Sequence, residues 1–149
     1  MVTKNRSNSM ELKVKRLTDT AKLPEKTHQG DLGYDIFADE DIWIPWGEYK
    51  LVSTGVSVFT NSYKYGFLIK DRSSMACNGL FIHGGVIDSG YTGEIKVLFD
   101  NQSSTSLKIE KGDKIAQLIP TKVINFEIEE VDELFKTQRG KGGWGSTGK

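Results

Sequence analysis

Apolar and polar residues alternate with a period of two along much of the chain. The stretch MELKVKRL alternates leucine and valine with lysines, and EIKVLFDN places Ile95, Val97 and Phe99 on one face. Two further runs have the composition of strands, YGFLIK and the alternating INFEIEEV at residues 124–131. Because successive side chains of a strand point to opposite faces of a sheet, this pattern predicts a chain built mostly of β-strands.

Turn-forming residues interrupt these runs at short intervals. They cluster in the stretches PWGE, FTNSYKYG, HGG, DSGYTG, DNQSS and EKGD. This spacing is typical of a sandwich or barrel rather than of strand-helix-strand units. The one candidate helix is SSMACNGL, residues 73–80, with Ser73 or Ser74 capping its start and Gly79 ending it. Since no repeat or linker is visible, we predict a single all-β domain of jelly-roll or barrel type.

Composition narrows the range of partners. The 149 residues include 20 basic and 20 acidic ones, so there is no net positive field to hold a nucleic acid or a membrane surface by charge. We therefore expect neither as a partner. The single cysteine, Cys77, excludes an intrachain disulfide framework. No apolar run has the length of a membrane span or the form of a signal peptide. We therefore expect a soluble protein of the cytoplasm, or of the host cytoplasm if a virus or prophage encodes it.

The two ends of the chain differ in composition from its middle. Residues 1–9 are polar and patternless, and we interpret them as a flexible leader before a domain at 10–136. Residues 137–149 are rich in glycine and carry Trp144 and Arg139. One interpretation is a frayed end. The other is a mobile arm that offers backbone N–H groups and a guanidinium to oxyanions, and an indole to a flat ring.

Two aspartates stand where polar residues need an explanation. Asp88 follows an apolar pair in GVIDSGYTGE and precedes a Ser-Gly turn, where it is either an ordinary turn aspartate or a reactive carboxylate. Asp35 lies inside the predicted strand of GDLGYDIFA, between Tyr34 and Ile36. A carboxylate flanked in this way requires a partner or a chemical task.

Two other segments carry polar groups suited to anions. DRSSMA sets Arg72 beside Ser73 and Ser74 at the predicted helix start, which forms either an oxyanion site or a simple cap with a surface arginine. KGDKIAQLIP is expected to be a turn followed by a buried strand. Gln117 is the polar exception in that apolar run.

Five motifs in one order resemble a known family. GDLGYDIFA, DRSSMA, GVIDSGYTGE, GDKIAQLI and RGKGGWGSTG, between residues 30 and 148, closely resemble the motifs of the trimeric dUTPases. The resemblance implies a distorted jelly roll, a homotrimer with active sites at subunit interfaces, and a glycine-rich C-terminal arm that closes over the site. It also implies Mg²⁺-dependent hydrolysis of dUTP to dUMP and pyrophosphate, the dUTP diphosphatase reaction. That reaction limits uracil incorporation into DNA and supplies dUMP for dTMP synthesis.

The resemblance assigns the reactive and phosphate-binding residues. Asp88 matches the carboxylate that activates a water for attack on the α-phosphorus. Asp35 matches an acidic residue that touches the waters of a Mg²⁺ ion held mainly by the substrate phosphates. The residues expected to contact phosphates are Arg72, Ser73, Ser74, Gln117, Arg139, Gly145 and Ser146.

The resemblance also assigns a nucleoside site, with two departures from the family pattern. Tyr91 is expected to pack under the deoxyribose, where its ring would exclude a 2′-hydroxyl. Ile82 replaces the asparagine of many members, which leaves uracil to the hairpin backbone or to His83, and Trp144 replaces the usual phenylalanine or histidine. The residues expected at the nucleoside are Ile82, Gly85, Val86, Ile87, Asp88, Tyr91, Lys96 and Trp144.

Two other functions are compatible with such a fold. A dCTP deaminase shares it but needs a glutamate where this sequence has Leu98, and leucine can neither shuttle a proton nor activate water. A catalytically idle jelly-roll module that binds nucleotides or proteins is the second alternative. The reaction products separate the three, because the deaminase would release ammonia from dCTP and the module would release nothing.

Overall fold

Strands dominate the protein, as the alternating pattern predicts. The structure is a computed structural model that describes residues 10–143. Within that range it contains eleven strands and one short helix. The strands are β1 (Lys13–Arg16), β2 (Tyr34–Phe37), β3 (Ile42–Ile44), β4 (Tyr49–Ser53), β5 (Val56–Phe59), β6 (Tyr65–Asp71), β7 (Leu80–His83), β8 (Val86–Ile87), β9 (Lys96–Asn101), β10 (Leu107–Ile109) and β11 (Lys114–Lys122), and the helix is α1 (Ser73–Cys77).

Four antiparallel sheets make up the domain. The largest has the order β2-β11-β6-β8, and the next has the order β4-β9-β7. Two pairs, β1 with β5 and β3 with β10, complete the fold. The hairpin of β7 and β8 joins the two large sheets, because β7 pairs with β9 while β8 pairs with β6. This antiparallel arrangement of short strands is the predicted all-β jelly roll.

The core lies between these sheets and uses the faces that the alternation predicts. Ile95, Val97 and Phe99 are completely buried, as are Ile115 and Leu118 of the central strand β11. Each such side chain contributes on the order of 1.5 to 3 kcal/mol by leaving water. Buried side chains therefore anchor β11, and Phe67 and Ile69 anchor its neighbour β6 in the same way.

The helix begins where the sequence predicts it, but the predicted serine N-cap is wrong. The N-cap is Arg72 in extended conformation, with no side-chain cap hydrogen bond, and Ser73 and Ser74 are the first helical residues. The cause is β6, whose extended backbone continues up to Arg72. Gly79 follows the helix end with a φ of +83°, as predicted. With five residues, the helix is too short to cross a membrane, and no other helix occurs in residues 10–143.

The predicted strand INFEIEEV does not form within the chain. β11 ends at Lys122, and residues 123–143 contain no strand or helix. Ile124, Phe126 and Ile128 are 68%, 82% and 98% exposed. A strand requires a neighbouring backbone, and this segment has no pairing partner among the described residues of its own chain. Its alternating apolar side chains are left open to solvent.

Candidate active site

Arg72 and Asp35 meet at one end of the four-stranded sheet. Arg72 directly follows β6, and Asp35 lies in β2 on the far side of β11. Arg72 Nε is 3.2 Å from Asp35 Oδ1, with the two side chains 28% and 13% exposed. Arg72 Nη1 also donates a hydrogen bond of 3.0 Å to the carbonyl of Lys114. Two contacts thus fix the guanidinium, and part of it stays accessible to an anion.

Gln117 lies beside this pair. It is the register partner of Asp35 on one side and of Lys70 on the other, so its side chain shares a face with Asp35. The amide packs over Gly33, where an added Cβ would be 3.2 Å from Gln117 Oε1. Ser73 and Ser74 follow Arg72 and are exposed. The predicted phosphate-binding residues of the described chain, apart from Arg139, therefore share one end of the sheet.

Sequence reasoning missed Lys114, which belongs to the same group. Its Nζ lies 3.0 Å from Asp35 Oδ2 and 3.1 Å from Glu25 Oε1. Lys114 and Gln117 are three positions apart in the sequence, and in a regular strand this spacing puts their side chains on opposite faces of the sheet. A β-bulge removes that offset, because Lys114 pairs with Phe37 and Ala116 with Ile36, leaving Ile115 as an extra residue. Nothing in the sequence pattern indicates this bulge.

The β7–β8 hairpin borders a cleft against β6. The cleft has a volume of about 250 Å³ and is lined by residues 68–71 and 82–86. The backbone N–H of Ile82 donates a 2.8 Å hydrogen bond to Asp71 Oδ1, and the N–H of Ile69 donates one of 2.6 Å to the Gly85 carbonyl. The two bonds hold the hairpin at a fixed distance from β6.

Glycine is required at the tip of this hairpin. A Cβ on Gly85 would lie 2.4 Å from the Ile69 carbonyl oxygen, so a side chain there would force the strands apart. Of the predicted nucleoside residues, Ile82, Gly85 and Val86 line the cleft, while Ile87 continues into β8. His83 borders the cleft too, but its Nε2 is 3.2 Å from Asp100 Oδ2. The ring is thus already engaged away from the hairpin tip.

Asp88 and Tyr91 occupy the two ends of one turn that follows β8. The N–H of Tyr91 donates a 3.1 Å hydrogen bond to the Asp88 carbonyl, and Gly90 supplies the positive φ of +86° that such a turn needs. Asp88 is exposed, and no side chain of residues 10–143 hydrogen-bonds to its carboxylate. The backbone closes the turn, so the carboxylate is free to hold a water.

The Tyr91 ring folds back over its own loop. The hydroxyl donates a 3.1 Å hydrogen bond to the Glu94 carbonyl. A Cβ on Gly93 would lie 2.4 Å from the Tyr91 hydroxyl oxygen and 2.5 Å from Cζ. The ring therefore rests directly on the glycine backbone and keeps 47% of the residue exposed.

Asp88 and Arg72 lie far apart in one chain. Ile87 pairs with Phe67, which places Asp88 level with the start of β6, whereas Arg72 follows its end. Extended chain from Gly66 to Arg72 spans about 20 Å. A base must lie within hydrogen-bond reach of the water it activates, and that water must reach the phosphate. A single chain does not bring Asp88 and Arg72 to the same phosphate.

Five further predicted site residues lie outside both the cluster around Arg72 and the hairpin with its following turn. Lys96 is paired with Glu94, Nζ to Oε2 at 3.4 Å, and is not part of the cleft lining. Arg139 is exposed, and its Nε donates a 3.0 Å hydrogen bond to the Gly142 carbonyl. Trp144, Gly145 and Ser146, which the family resemblance assigns to the nucleoside and the phosphates, lie outside the described residues.

The side chains around Asp35 fit a metal ion that brings most of its own ligands. Residues 10–143 contain no group of three or more His, Cys, Asp or Glu side chains placed to hold a metal. Both oxygens of Asp35 are paired with cations, Arg72 and Lys114. Mg²⁺ prefers six oxygen ligands and keeps several waters. An ion here would therefore need ligands from a bound phosphate chain and from water, and Asp35 would contact it only through water.

Comparison with known proteins gives one consistent family. The dUTPase family model matches residues 19–148. The deoxyuridine 5'-triphosphate nucleotidohydrolase of Clostridioides difficile is 41% identical over 140 residues, covering 92% of this chain and 97% of the relative. The enzyme of the same name from Cowpox virus is 40% identical over 131 residues, covering 88% of each.

Solved structures of phage proteins have the same fold. A variant dUTPase of Staphylococcus bacteriophage 80alpha with dUpNHpp is 29% identical, with a TM-score of 0.86 over 95% of this chain and 99% of that one. A variant dUTPase from phage phi11 of S. aureus, described for its coordination of a structural Mg(II) ion, is 27% identical, with a TM-score of 0.78 over 85% and 99%. The chain belongs to the dUTPase family.

Proposed function

We propose that the protein hydrolyses dUTP to dUMP and pyrophosphate, as a dUTP diphosphatase. The turn from Asp88 to Tyr91 carries the proposal. It presents a carboxylate that has no side-chain partner among residues 10–143, and an accessible aromatic ring, directly after the hairpin that borders the cleft. The names of the relatives and the dUpNHpp of the phage 80alpha structure support this substrate. The reaction would limit uracil incorporation into DNA and supply dUMP for dTMP synthesis.

Asp88 is assigned the role of general base. Its carboxylate accepts a proton from a water whose oxygen attacks the α-phosphorus, and the bond from that phosphorus to the pyrophosphate oxygen breaks. A carboxylate suffices, since pyrophosphate is a good leaving group once its charge is neutralised. Bound Mg²⁺ would supply part of that neutralisation. Asp88 would also accelerate the reaction by holding the water in position for attack.

Specificity is assigned to the hairpin and to Tyr91. Ile82 offers no hydrogen-bonding side chain, so the uracil edge would be read by backbone groups around Gly84 and Gly85. The Tyr91 ring, resting on Gly93, would pack under the deoxyribose and leave no room for a 2′-hydroxyl. Leu98, half-buried in β9, provides no acid or base for a deamination.

The triphosphate is assigned to the other end of the four-stranded sheet. Arg72 would bind phosphate oxygens with the N–H groups that Asp35 and Lys114 leave unused. Gln117, Ser73 and Ser74 would add neutral donors. These groups act on a substrate whose metal ion stays bound mainly to its phosphates.

We further propose that the protein acts as a homotrimer with sites shared between subunits. The separation of Asp88 from Arg72 supports this, since a site with both groups needs a second chain. The outer face of the β4-β9-β7 sheet exposes Tyr49, Leu51 and Phe81, at 58%, 51% and 36%. Apolar residues grouped on a surface favour association. The exposed apolar side chains of residues 123–135 give a second surface of the same kind.

Residues 137–149 are assigned to an arm that closes over the occupied site. Its glycines would let the backbone lie against phosphates. Arg139, Gly145 and Ser146 would contact the phosphate chain, and Trp144 would stack on uracil. Exclusion of water by such a closure strengthens the charge interactions inside the site.

A nucleotide panel tests this function. With Mg²⁺ present, we expect pyrophosphate release from dUTP to exceed that from dTTP, dCTP and UTP by orders of magnitude in kcat/KM. Comparable turnover of UTP would contradict the role of Tyr91 in sugar selection. Ammonia from dCTP would identify a deaminase, and no product from any nucleotide would identify a binding module.

Two variants control for contaminating phosphatases. Asp88→Asn keeps the size of the side chain and removes its charge, so turnover of dUTP should fall by orders of magnitude. Asp19→Asn makes the same change at an exposed aspartate outside the site and should leave turnover unchanged. Activity that survives Asp88→Asn would assign the base to another residue.

A further inference from the structure

We propose that Lys114 is a positioning residue that holds Asp35, so that Arg72 can turn its guanidinium to the substrate phosphates. The inference rests on the proposed function and adds a residue to its site. It derives from the contacts that link Glu25, Lys114, Asp35 and Arg72 in that order at the start of β11.

The contacts give Lys114 two routes to Arg72. Its ammonium lies 3.0 Å from Asp35 Oδ2, while Arg72 Nε lies 3.2 Å from the other oxygen, Oδ1. Its backbone carbonyl accepts the 3.0 Å hydrogen bond from Arg72 Nη1. Lys114 therefore contacts both the carboxylate that attracts Arg72 and the guanidinium itself.

The charges of Lys114, Asp35 and Arg72 explain why the Lys114 side chain is important. Asp35 is only 13% exposed in its side chain, and a carboxylate in that position needs a cation nearby. Because Lys114 pairs with one oxygen of Asp35, Arg72 is not the sole counterion of that carboxylate. Arg72 can therefore also bind a phosphate. Without Lys114, Asp35 would compete with the phosphate for Arg72. Hydrogen bonds to Asp35 and Glu25 also raise the pKa of Lys114, so the ammonium stays charged at neutral pH.

The bulge at Ile115 points to the same role. An unbulged β11 would direct Lys114 to the face opposite Asp35 and Gln117. Bulges next to active sites re-aim side chains in this way. Here the extra residue brings three polar groups of one site onto one face, Asp35, Gln117 and Lys114.

Binding without metal tests the inference apart from catalysis. We compare wild type, Lys114→Gln, Lys114→Arg and the control Lys108→Gln, which removes a surface lysine paired with Glu110. The dissociation constant of dUpNHpp is measured by calorimetry in EDTA. Lys114→Gln should bind dUpNHpp more weakly, by about tenfold or more, because Asp35 loses a charged hydrogen-bonding partner. Lys114→Arg should restore most of the affinity, and Lys108→Gln should match wild type.

Steady-state kinetics and melting complete the test. In Lys114→Gln the KM for dUTP should rise more than kcat falls, while the melting temperature confirms that the variant is folded. Unchanged affinity and KM in Lys114→Gln would overturn the positioning role, as would a Lys114→Arg variant that binds no better than Lys114→Gln. Failure of wild type to hydrolyse dUTP would instead overturn the proposed function, so the two results are distinguishable.

Discussion

At the scale of single residues, the Tyr91 ring folds over the loop that carries it because Gly93 leaves room. The hydroxyl bonds to the Glu94 carbonyl at 3.1 Å, and the ring edge occupies the space of a side chain at position 93. Tyr91 is therefore held at both ends, by the turn to Asp88 and by this bond. A ring fixed in this way can act as a rigid floor for a sugar.

We predict that Gly93→Ala relaxes sugar selection. A Cβ would meet the Tyr91 ring at 2.4 to 2.9 Å, so the ring must move from the position assigned under the deoxyribose. The ratio of kcat/KM for dUTP to that for UTP should fall by roughly tenfold or more, the scale of one steric contact in a pocket. The measurement is pyrophosphate release from both nucleotides.

The control for this change is Gly30→Ala. A Cβ on Gly30 meets no atom within 4 Å, so the same substitution there should leave the ratio unchanged. An unaltered ratio in Gly93→Ala would show that Tyr91 does not select the sugar, provided that the melting temperatures of the two variants agree.

At the scale of elements, the loop after β1 is tied to the end of β2 through Asp39. Thr18 and Thr20 donate hydrogen bonds to its two oxygens, the one from Thr20 at 2.7 Å, and Lys111 Nζ lies 3.9 Å away. Burial raises the pKa of Asp39, but the bonds from the two threonines and the charge of Lys111 outweigh it and leave that pKa below its usual value. The charged form is thus the one that the fold stabilises.

We predict that Asp39→Asn destabilises the fold in a pH-dependent way. A pKa lowered in the folded state adds stability above the unfolded pKa of about 3.9, and this stability is lost as pH falls through the folded value. Urea unfolding at pH 7 should show a loss of about 1 to 3 kcal/mol. Below about pH 4 the difference from wild type should shrink.

The neighbouring Asp19 provides the matched control. It lies between Thr18 and Thr20 and is exposed, so Asp19→Asn should change the free energy of unfolding little at either pH. A loss in Asp39→Asn that is equally large at pH 7 and in acid would indicate that packing, rather than the charge, is what matters at this position.

Elements with strong local patterns could be predicted from sequence, and those that depend on neighbours could not. The alternation of Ile95, Val97 and Phe99 is enough to identify β9, because each of these side chains is buried by the core. INFEIEEV has the same alternation, yet it forms no strand, because residues 10–143 provide no neighbouring strand for it to pair with. The serine caps failed because β6 runs straight into α1 at Arg72.

The candidate site shows the same limit. Family motifs indicate Asp35, Arg72 and Gln117, and the structure places these three together. Lys114 could not be predicted, since its position depends on the bulge at Ile115, which alternation alone does not reveal. The distance between Arg72 and Asp88 follows from strand register, which is a property of the folded sheet.

At the scale of the whole molecule, that distance is the ground for proposing that assembly completes the active site. Asp88 lies level with the start of β6 and Arg72 beyond its end, about 20 Å apart in extended chain. In the proposed homotrimer, one chain would therefore contribute one half to each of two sites. A closed symmetric oligomer would bring the half with Asp88 of one subunit to the half with Arg72 of the next.

We predict that two inactive variants restore activity when mixed. Asp88→Asn and Arg72→Ala should each be inactive as pure oligomers. The two variants are unfolded in urea and refolded together in equal amounts. Half of the subunits then carry an intact Asp88 and the other half an intact Arg72. Random assembly should therefore restore both groups in roughly a quarter of the sites. Pyrophosphate release from dUTP measures the recovery, and refolded wild type sets its scale.

The control pair has both changes in the same half. Arg72→Ala and Gln117→Ala disable groups at the same sheet end of one chain, so no arrangement of these subunits gives a site with both side chains intact. Their mixture should stay as inactive as either variant. If the pair of Asp88→Asn and Arg72→Ala also stayed inactive while refolded wild type recovered, each chain would have to build its site alone. The separation of Asp88 and Arg72 that follows from the register of β6 would then not apply to the active enzyme.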